Sequence, residues 1–202
     1  NNNFLGAAAG QLNTTGSNNN FIGQSAGQLN TFGNSNNFIG NQVGALNTTG
    51  NNNNFIGLCA GYSNTTGRFN NFFGPNVGYD NTTGCHNTFI GYYAGFNNTT
   101  GKYNVYFGTG AGCNNATGNN NVVIGGVCRT TSVATISNEV TIDNGINFAR
   151  FQGSATSWTF TSDQRDKTDI QPLPLGRDFL RDVKPRKFTW NHRHTTTDNG
   201  KI

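Results

Sequence analysis

Apolar and polar residues follow one another along this chain with a period of 17 residues, which runs from Asn2 to Asn138. Each unit fits the template N-x-F-I-G-x-x-A-G-x-x-N-T-T-G-x-x, whose members are called positions 1 to 17. A strict period of this kind is typical of a stacked array in which every unit forms one coil. Position 1 is asparagine at Asn2, Asn19, Asn36, Asn53, Asn70, Asn87, Asn104, Asn121 and Asn138.

The unit is too short for a pair of helices, and Gly and Asn interrupt it too often for an apolar helical pattern. It fits a short strand centred on Phe-Ile, a turn at the first Gly, a second short strand through Ala, and a corner at Asn-Thr-Thr-Gly. Gly and Asn suit such corners because they tolerate positive φ. We therefore predict an all-β fold, a parallel β-solenoid or β-roll whose eight coils span roughly 40 Å.

Positions 3 and 4 are both apolar, and adjacent strand residues point to opposite sides of the coil wall. Only one of the two columns is needed inside, where the small Ala/Val column of position 8 is also expected. A ladder of aromatic residues on the outside would be too large an apolar patch for a monomer, so we expect a parallel homotrimer to bury it. The aromatic column is Phe4, Phe21, Phe38, Phe55, Phe72, Phe89 and Tyr106, and the aliphatic one is Leu5, Ile22, Ile39, Ile56, Phe73, Ile90, Phe107 and Ile124.

The formal net charge of +4 is unevenly distributed. Residues 1–128 contain only Arg68, Asp80 and Lys102 as charged side chains, whereas residues 162–202 contain nine Lys or Arg and six Asp or Glu. Nucleic-acid binding needs a basic stripe, which the repeats lack, so we expect no nucleic-acid partner.

The chain divides by composition into three segments. Residues 1–137 form the repeat solenoid, and residues 138–161 alternate β-forming with turn residues, which predicts a β-rich neck. Residues 162–202 are predicted to be a small mixed α/β segment. Its helix is indicated by apolar residues at helical spacing before Pro185, namely Leu175, Phe179, Leu180 and Val183.

Candidate metal, disulfide and membrane features are sparse. The four cysteines show no pairing pattern, so we expect free thiols in preference to disulfides. The spacing of His86, His192 and His194 does not match metal ligation, and no cofactor or metal is predicted. No signal peptide or apolar spanning run is visible, and no membrane partner is expected. Since the first residue already lies in the repeat register, we interpret the chain as a piece of a longer protein.

The repeats of residues 2–137 resemble the head repeats of trimeric autotransporter adhesins, in which N-S-V-A-I-G-type units form a parallel β-roll trimer. The unit of this chain is longer, so the resemblance concerns the type of repeat. It implies a trimeric, extracellular and adhesive structure.

A second resemblance begins at Ser162-Asp163-Gln164-Arg165-Asp166-Lys167 and continues through Pro172-Leu173, Phe179-Leu180 and Lys184-Pro185-Arg186-Lys187-Phe188-Thr189-Trp190. These residues resemble the endosialidase-type intramolecular chaperone, which trimerises phage tail spikes and fibres and then cuts itself off. Only about 41 residues of such a domain are present, without the family's long helical remainder.

The second resemblance implies a self-cleaving serine endopeptidase. It makes Ser162 the nucleophile, Lys167 its proton acceptor and Thr161–Ser162 the scissile bond. The chemistry is reasonable, because a serine hydroxyl needs a neighbouring base and a lysine can act as one if burial lowers its pKa.

Taken together, these features predict a structural and adhesive fibre of a phage or virus particle, whose partners are its own copies and a host cell-surface receptor, a glycan. The alternative is a bacterial trimeric surface adhesin or extracellular filament. A polysaccharide-degrading tailspike is disfavoured, because glycoside cleavage normally needs two carboxylates and the repeats offer only Asp80. The Thr pairs of positions 13 and 14 are interpreted as corner ladders and not as an ice-binding face.

Overall fold

The computed structural model describes residues 1–126, 135–144, 146–152 and 159–160. These lie within one compact unit, Asn1–Thr161. The described residues form eleven strands of a single sheet in chain order: β1 (Asn3–Leu5), β2 (Asn20–Ile22), β3 (Asn37–Ile39), β4 (Asn54–Ile56), β5 (Asn71–Phe73), β6 (Thr88–Ile90), β7 (Val105–Phe107), β8 (Val122–Gly125), β9 (Glu139–Asp143), β10 (Phe148–Gln152) and β11 (Thr159–Phe160).

Strands β1 to β8 are the same segment of successive repeat units, three residues long in β1 to β7 and four in β8. Each pairs in parallel with the next, and the register is the sequence period, as in Phe4 opposite Phe21 and Phe21 opposite Phe38. Each unit is therefore one coil, and coils 1 to 8 begin at the asparagines of position 1. The predicted all-β parallel solenoid of 17-residue coils is confirmed.

The aromatic column of position 3 lies inside the solenoid. Phe21 to Tyr106 are fully buried, and consecutive rings stack with centroids 4.6 to 5.0 Å apart. The expectation of an outside aromatic ladder is therefore wrong. The interior accommodates the large rings of position 3 because the side chains of position 8 are small. The stack packs in one core cluster with the buried Ala/Val column of position 8, such as Ala26 and Val43.

Glycine is required at positions 5 and 9 for different reasons. At position 9, a Cβ on Gly44 would lie 2.5 Å from the ring of Phe38, so a side chain there would displace the aromatic stack. At position 5, Gly40 has φ of 140° and a Cβ would lie 2.5 Å from the carbonyl oxygen of Gly57 in the next coil. Close stacking of the backbone itself therefore excludes any other residue.

The second strand expected through Ala is not formed. Positions 5 to 12 make consecutive turns in which Ala26 N donates to Gly23 O and Asn30 N donates to Gly27 O. Positions 7 and 9 both have positive φ, as at Ser25 and Gly27, and such residues cannot belong to an extended strand. Each of coils 1 to 7, which are described in full, consequently has one strand.

Two columns of asparagine are buried in the solenoid, at positions 1 and 12, and their amides bind the backbone and each other. Asn47 Nδ2 donates to Asn30 Oδ1 of the preceding coil at 2.7 Å and to Gly50 O at 3.1 Å. Asn36 Nδ2 donates to the same Gly50 O at 2.8 Å, and Asn36 N donates to Asn19 Oδ1 at 3.0 Å. Because these groups are paired, the polar columns can stay buried.

The period lengthens by one residue after coil 8. β9 pairs in parallel with β8, but Val123 lies opposite Thr141 and Asn121 Oδ1 accepts from Glu139 N. The expected continuation of the 17-residue period to Asn138 and Val140 is therefore wrong. Asn138 has φ of 59° and corresponds to position 17, where asparagine is also common.

The sheet changes direction after β9. β10 pairs antiparallel with β9, with Arg150 opposite Thr141, and β11 pairs antiparallel with β10. The turn before β10 is held by Asn144 Oδ1, which accepts from the backbone N of Ile146 at 3.0 Å and of Asn147 at 2.8 Å.

Candidate functional surfaces

The residues predicted to carry out self-cleavage, Ser162 and Lys167, lie outside the described residues, as does Thr161. The predicted helix before Pro185 lies outside them as well. Their roles and the segment boundaries stay predictions.

The aliphatic column of position 4 faces outward on the sheet. Ile22, Ile39 and Ile56 are half-buried by their neighbours in the column, whereas Phe107 and Ile124 are 54% and 42% exposed. On β9 the column continues at Ile142, opposite Ile124. This outward column forms a partly exposed apolar stripe on the described sheet.

The surroundings of the outward column change along the solenoid. Position 2 in coils 1 to 4 carries an amide ladder, in which Asn20 Nδ2 donates to Asn37 Oδ1 at 2.8 Å. In coils 7 and 8 the same position holds Val105 and Val122. The sheet face therefore becomes more apolar toward β9.

A second surface lies at the corner formed by positions 14, 16 and 17. Two shallow hollows of about 540 and 500 Å³ adjoin there and share Thr83 and Lys102. Thr49 and Asn51 lie at one end of this basic groove and Asn120 at the other. Arg68 and Lys102, which are the only basic residues of the repeats before Arg129, both line it.

An exposed aromatic column borders the basic groove at position 17 in coils 4 to 6. Phe69, His86 and Tyr103 stack with centroids 4.9 Å apart. All three have φ between 58° and 60°, in the left-handed region. Bulky residues are unusual there, whereas other coils place Asn or Ser at this position.

The inward face of β9 forms a polar terminal layer. Glu139, Thr141 and Asp143 are buried where the regular coils have Asn, Phe and Gly. The Thr141 hydroxyl donates to Glu139 Oε1 at 2.5 Å, and Arg150 Nε lies 3.6 Å from Glu139 Oε2. Paired charges thus close the described end of the apolar interior.

The second asparagine column ends just before the terminal layer. Asn115 Nδ2 donates to Ile136 O at 2.8 Å and its Oδ1 accepts from Gly118 N at 2.8 Å. It therefore makes no bond to Asn98, whose buried Oδ1 has no hydrogen-bond partner.

Other candidate chemistry in the described part of the chain is limited. There it contains no group of three or more His, Cys, Asp or Glu placed to hold a metal ion, and no helix long and apolar enough to cross a membrane. Cys59 and Cys85 are free thiols, but Cys113 is disulfide-bonded, so the expectation of free thiols is wrong for Cys113. Asp80 is half-buried, and this burial raises the pKa of its carboxyl.

Sequence reasoning missed the basic groove, because it treated Arg68, His86 and Lys102 one at a time. The signal becomes visible when the units are aligned in columns. Positions 16 and 17 then depart together from Asn and Ser in coils 4 to 6 and nowhere else among coils 1 to 7.

Comparison with protein-family models, with curated proteins and with solved structures found no match to this chain.

Proposed function

We propose that this chain is a structural and adhesive fibre segment, assembled as a parallel homotrimer, that presents a receptor-binding surface on a phage or virus particle. The observation that carries the proposal is the outward apolar column, which runs from Leu5 to Ile142 with one residue in each coil. In a single chain this column is half-buried in coils 2 to 6 and exposed toward both ends.

The repeat favours copies of the same chain as the partner. Apolar side chains in the outward column recur once per coil, at the spacing of neighbouring strands, about 4.8 Å. A second copy in parallel orientation offers the same spacing over every coil, so each residue meets an equivalent one. A closed cyclic arrangement then satisfies all copies equally.

The assembly is tested by analytical ultracentrifugation of the purified chain together with the variants Ile56→Asp and Phe55→Asp. We expect the wild type to have three times the mass of its chain. Ile56→Asp should give a folded monomer, because its carboxylates would meet in the trimer yet be solvated in the free coil. Phe55→Asp should fail to fold, since Phe55 is fully buried within each chain.

Two results would contradict this assembly: a monomeric wild type, or an Ile56→Asp variant that remains trimeric. Circular dichroism distinguishes the variants, since Ile56→Asp should keep the β-sheet spectrum of the wild type.

Maturation by self-cleavage is part of the proposal. Ser162 Oγ would attack the carbonyl carbon of Thr161 while Lys167 accepts the hydroxyl proton. The Thr161–Ser162 C–N bond would break as the Ser162 nitrogen takes up that proton, which leaves the Thr161 acyl group as an ester on Ser162 Oγ. Water would then hydrolyse this ester and release the C-terminal segment that begins at Ser162. The resemblance of the Ser162–Trp190 region to intramolecular chaperones supports this step. A chaperone of that kind would set the register of identical coils, which pair almost equally well when shifted by a whole unit.

Self-cleavage is tested in the full-length parent protein on a denaturing gel. Ser162→Ala and Lys167→Ala should each leave a single long band, whereas Thr168→Ala, a control within the same motif region, should leave the two-fragment pattern of the wild type. Two fragments from Ser162→Ala would overturn the mechanism.

A bacterial trimeric surface adhesin is the second candidate, favoured by the resemblance of the repeats to adhesin heads. The sequence that precedes these repeats in the parent protein distinguishes the two, since a fibre should carry a particle-attachment domain and an adhesin a secretory signal.

A further inference from the structure

The basic groove lies where positions 16 and 17, which hold Asn or Ser in coils 1 to 3 and in coil 7, hold other residues. In coils 4 to 6, position 16 holds Arg68, Cys85 and Lys102, and position 17 holds an aromatic or imidazole ring. In the same three coils, positions 1, 3, 5, 12 and 15 all keep their template residues. Folding of the coil therefore does not explain the departures.

The departure at position 16 gives up a hydrogen bond. Where this position is asparagine, its Oδ1 accepts from the backbone N of position 16 in the preceding coil, as Asn34 does for Ser17 at 2.8 Å and Asn51 for Asn34 at 2.7 Å. Arg and Lys carry no acceptor, so Arg68 and Lys102 cannot make this bond.

The departure at position 17 also disfavours the fold. Asparagine adopts the left-handed conformation more readily than aromatic residues do. Nevertheless Phe69 and Tyr103 take it, with 45% and 57% of their surface exposed. Residues held in sparsely populated backbone conformations cluster at active sites and ligand clamps.

From these observations we infer that the basic groove binds an acidic polysaccharide chain lying parallel to the solenoid axis. Arg68 and Lys102 are two coils apart, about 10 Å by strand spacing, which is comparable to the length of a disaccharide. They would bind carboxylates on alternate sugars, while the Thr and Asn side chains bind hydroxyls and the Tyr103 ring packs against a sugar ring.

The chemistry of the lining favours a saccharide over other anions. Two cations neutralise too few phosphates to hold a nucleic acid. The hydroxyls of Thr83, Thr100 and Thr117 each donate and accept hydrogen bonds, as sugar hydroxyls do. The inference rests on the proposed receptor-binding function and names the class of receptor and its site.

Isothermal titration of the purified chain at low salt tests the site with three probes: an oligogalacturonate, a neutral galacto-oligosaccharide of equal length, and inorganic polyphosphate. We expect binding of the oligogalacturonate alone, weakened by added salt. Lys102→Asn should raise Kd about tenfold and Tyr103→Asn about fivefold. Coil 7 has Asn119 and Asn120 at these two positions, so both replacements should keep the fold.

Asp80→Asn is the control, since it changes the charge of coil 5 at position 11, outside the residues that line the groove. It should leave Kd unchanged within about twofold. Equal binding of polyphosphate, or of the neutral oligosaccharide, would overturn the inference, as would an unchanged Kd in Lys102→Asn or no binding at all. Ultracentrifugation of the same samples distinguishes this inference from the proposed function. A trimer that does not bind the oligogalacturonate would refute the saccharide site but not the trimeric fibre. A monomer that binds the oligogalacturonate would refute the trimeric fibre but not the saccharide site.

Discussion

The interior of coils 2 to 7 and the terminal layer on β9 occupy successive levels of one sheet but are stabilised differently. In the regular coils, stacked rings and amide ladders repeat, so rings and amides contact their equivalents in neighbouring coils until the ladder ends at Asn98. In the terminal layer, Glu139, Thr141 and Arg150 are paired with one another. A repeated interior can continue indefinitely, whereas a layer of unlike, mutually paired groups ends it.

The largest effect is expected from an added methyl group in a regular coil. Gly57 has φ of 139°, and a Cβ would lie 2.3 Å from the carbonyl oxygen of Gly74. Gly57→Ala should therefore lower the free energy of unfolding by about 4 kcal/mol or more. At Gly126, beyond β8, an added Cβ would lie 3.8 Å from its nearest neighbour, the carbonyl oxygen of Thr109. Gly126→Ala should therefore change the free energy of unfolding by less than about 0.5 kcal/mol. Equal losses in urea denaturation would show that backbone stacking is not the cause.

A somewhat smaller loss is expected when the terminal layer is broken. Glu139→Ala removes the buried acceptor of the Thr141 hydroxyl and the carboxylate that lies 3.6 Å from Arg150 Nε, which should lower the free energy of unfolding by about 3 kcal/mol. Glu139→Gln keeps an acceptor for the Thr141 hydroxyl, so the free energy of unfolding should fall by less than in Glu139→Ala. If thermal denaturation shows no loss for Glu139→Ala, the charged layer does not stabilise the end of the solenoid.

The two ends of an amide ladder give a finer comparison. Asn64 Oδ1 accepts from Asn81 Nδ2 at 2.8 Å, whereas Asn98 Oδ1 has no partner. Both side chains donate to the preceding coil. Asn64→Ala should lower the free energy of unfolding by about 2 kcal/mol. The loss for Asn98→Ala should be smaller than this by about 1 kcal/mol, because its Oδ1 has no partner to lose. A larger loss at Asn98 in chemical denaturation would contradict the early end of the ladder.

The smallest effect concerns Asp80, the one acidic residue of the regular coils. Burial raises the pKa of its carboxyl, so ionisation disfavours the folded state, and stability falls as the pH rises from the unfolded pKa through the folded one. Asp80→Asn should raise the free energy of unfolding at pH 7 by a few tenths of a kcal/mol, after allowance for solvent screening. Melting curves should show the gain disappearing at pH 3; a gain that persists there would exclude ionisation as its source.

The coil and its register could be predicted from sequence because period and glycine spacing determine them. The side of the wall on which the Phe column lies could not be read from alternation, which allows either face inward. The deciding contact is that of the Phe38 ring with the site of Gly44, which leaves no room for a Cβ. The one-residue slip was hidden because asparagine is common at both position 1 and position 17, so Asn138 fits the template in the wrong register.

The candidate surfaces could be predicted less well from the sequence than the coil could. Arg68 and Lys102 lie 34 residues apart in sequence, and only the in-register stacking of coils places them along one groove. The Glu139–Arg150 pair depends on the antiparallel return of β10, for which the repeat carries no signal.

The in-register stacking of identical coils has a consequence for length. Because each interior asparagine and phenylalanine contacts its equivalent one unit away, deleting or duplicating a whole unit joins surfaces that already fit. Each such event changes the reach of the solenoid by about 4.8 Å and leaves the terminal layer as it was. Gain or loss of whole units would thus change the length of the solenoid in fixed steps.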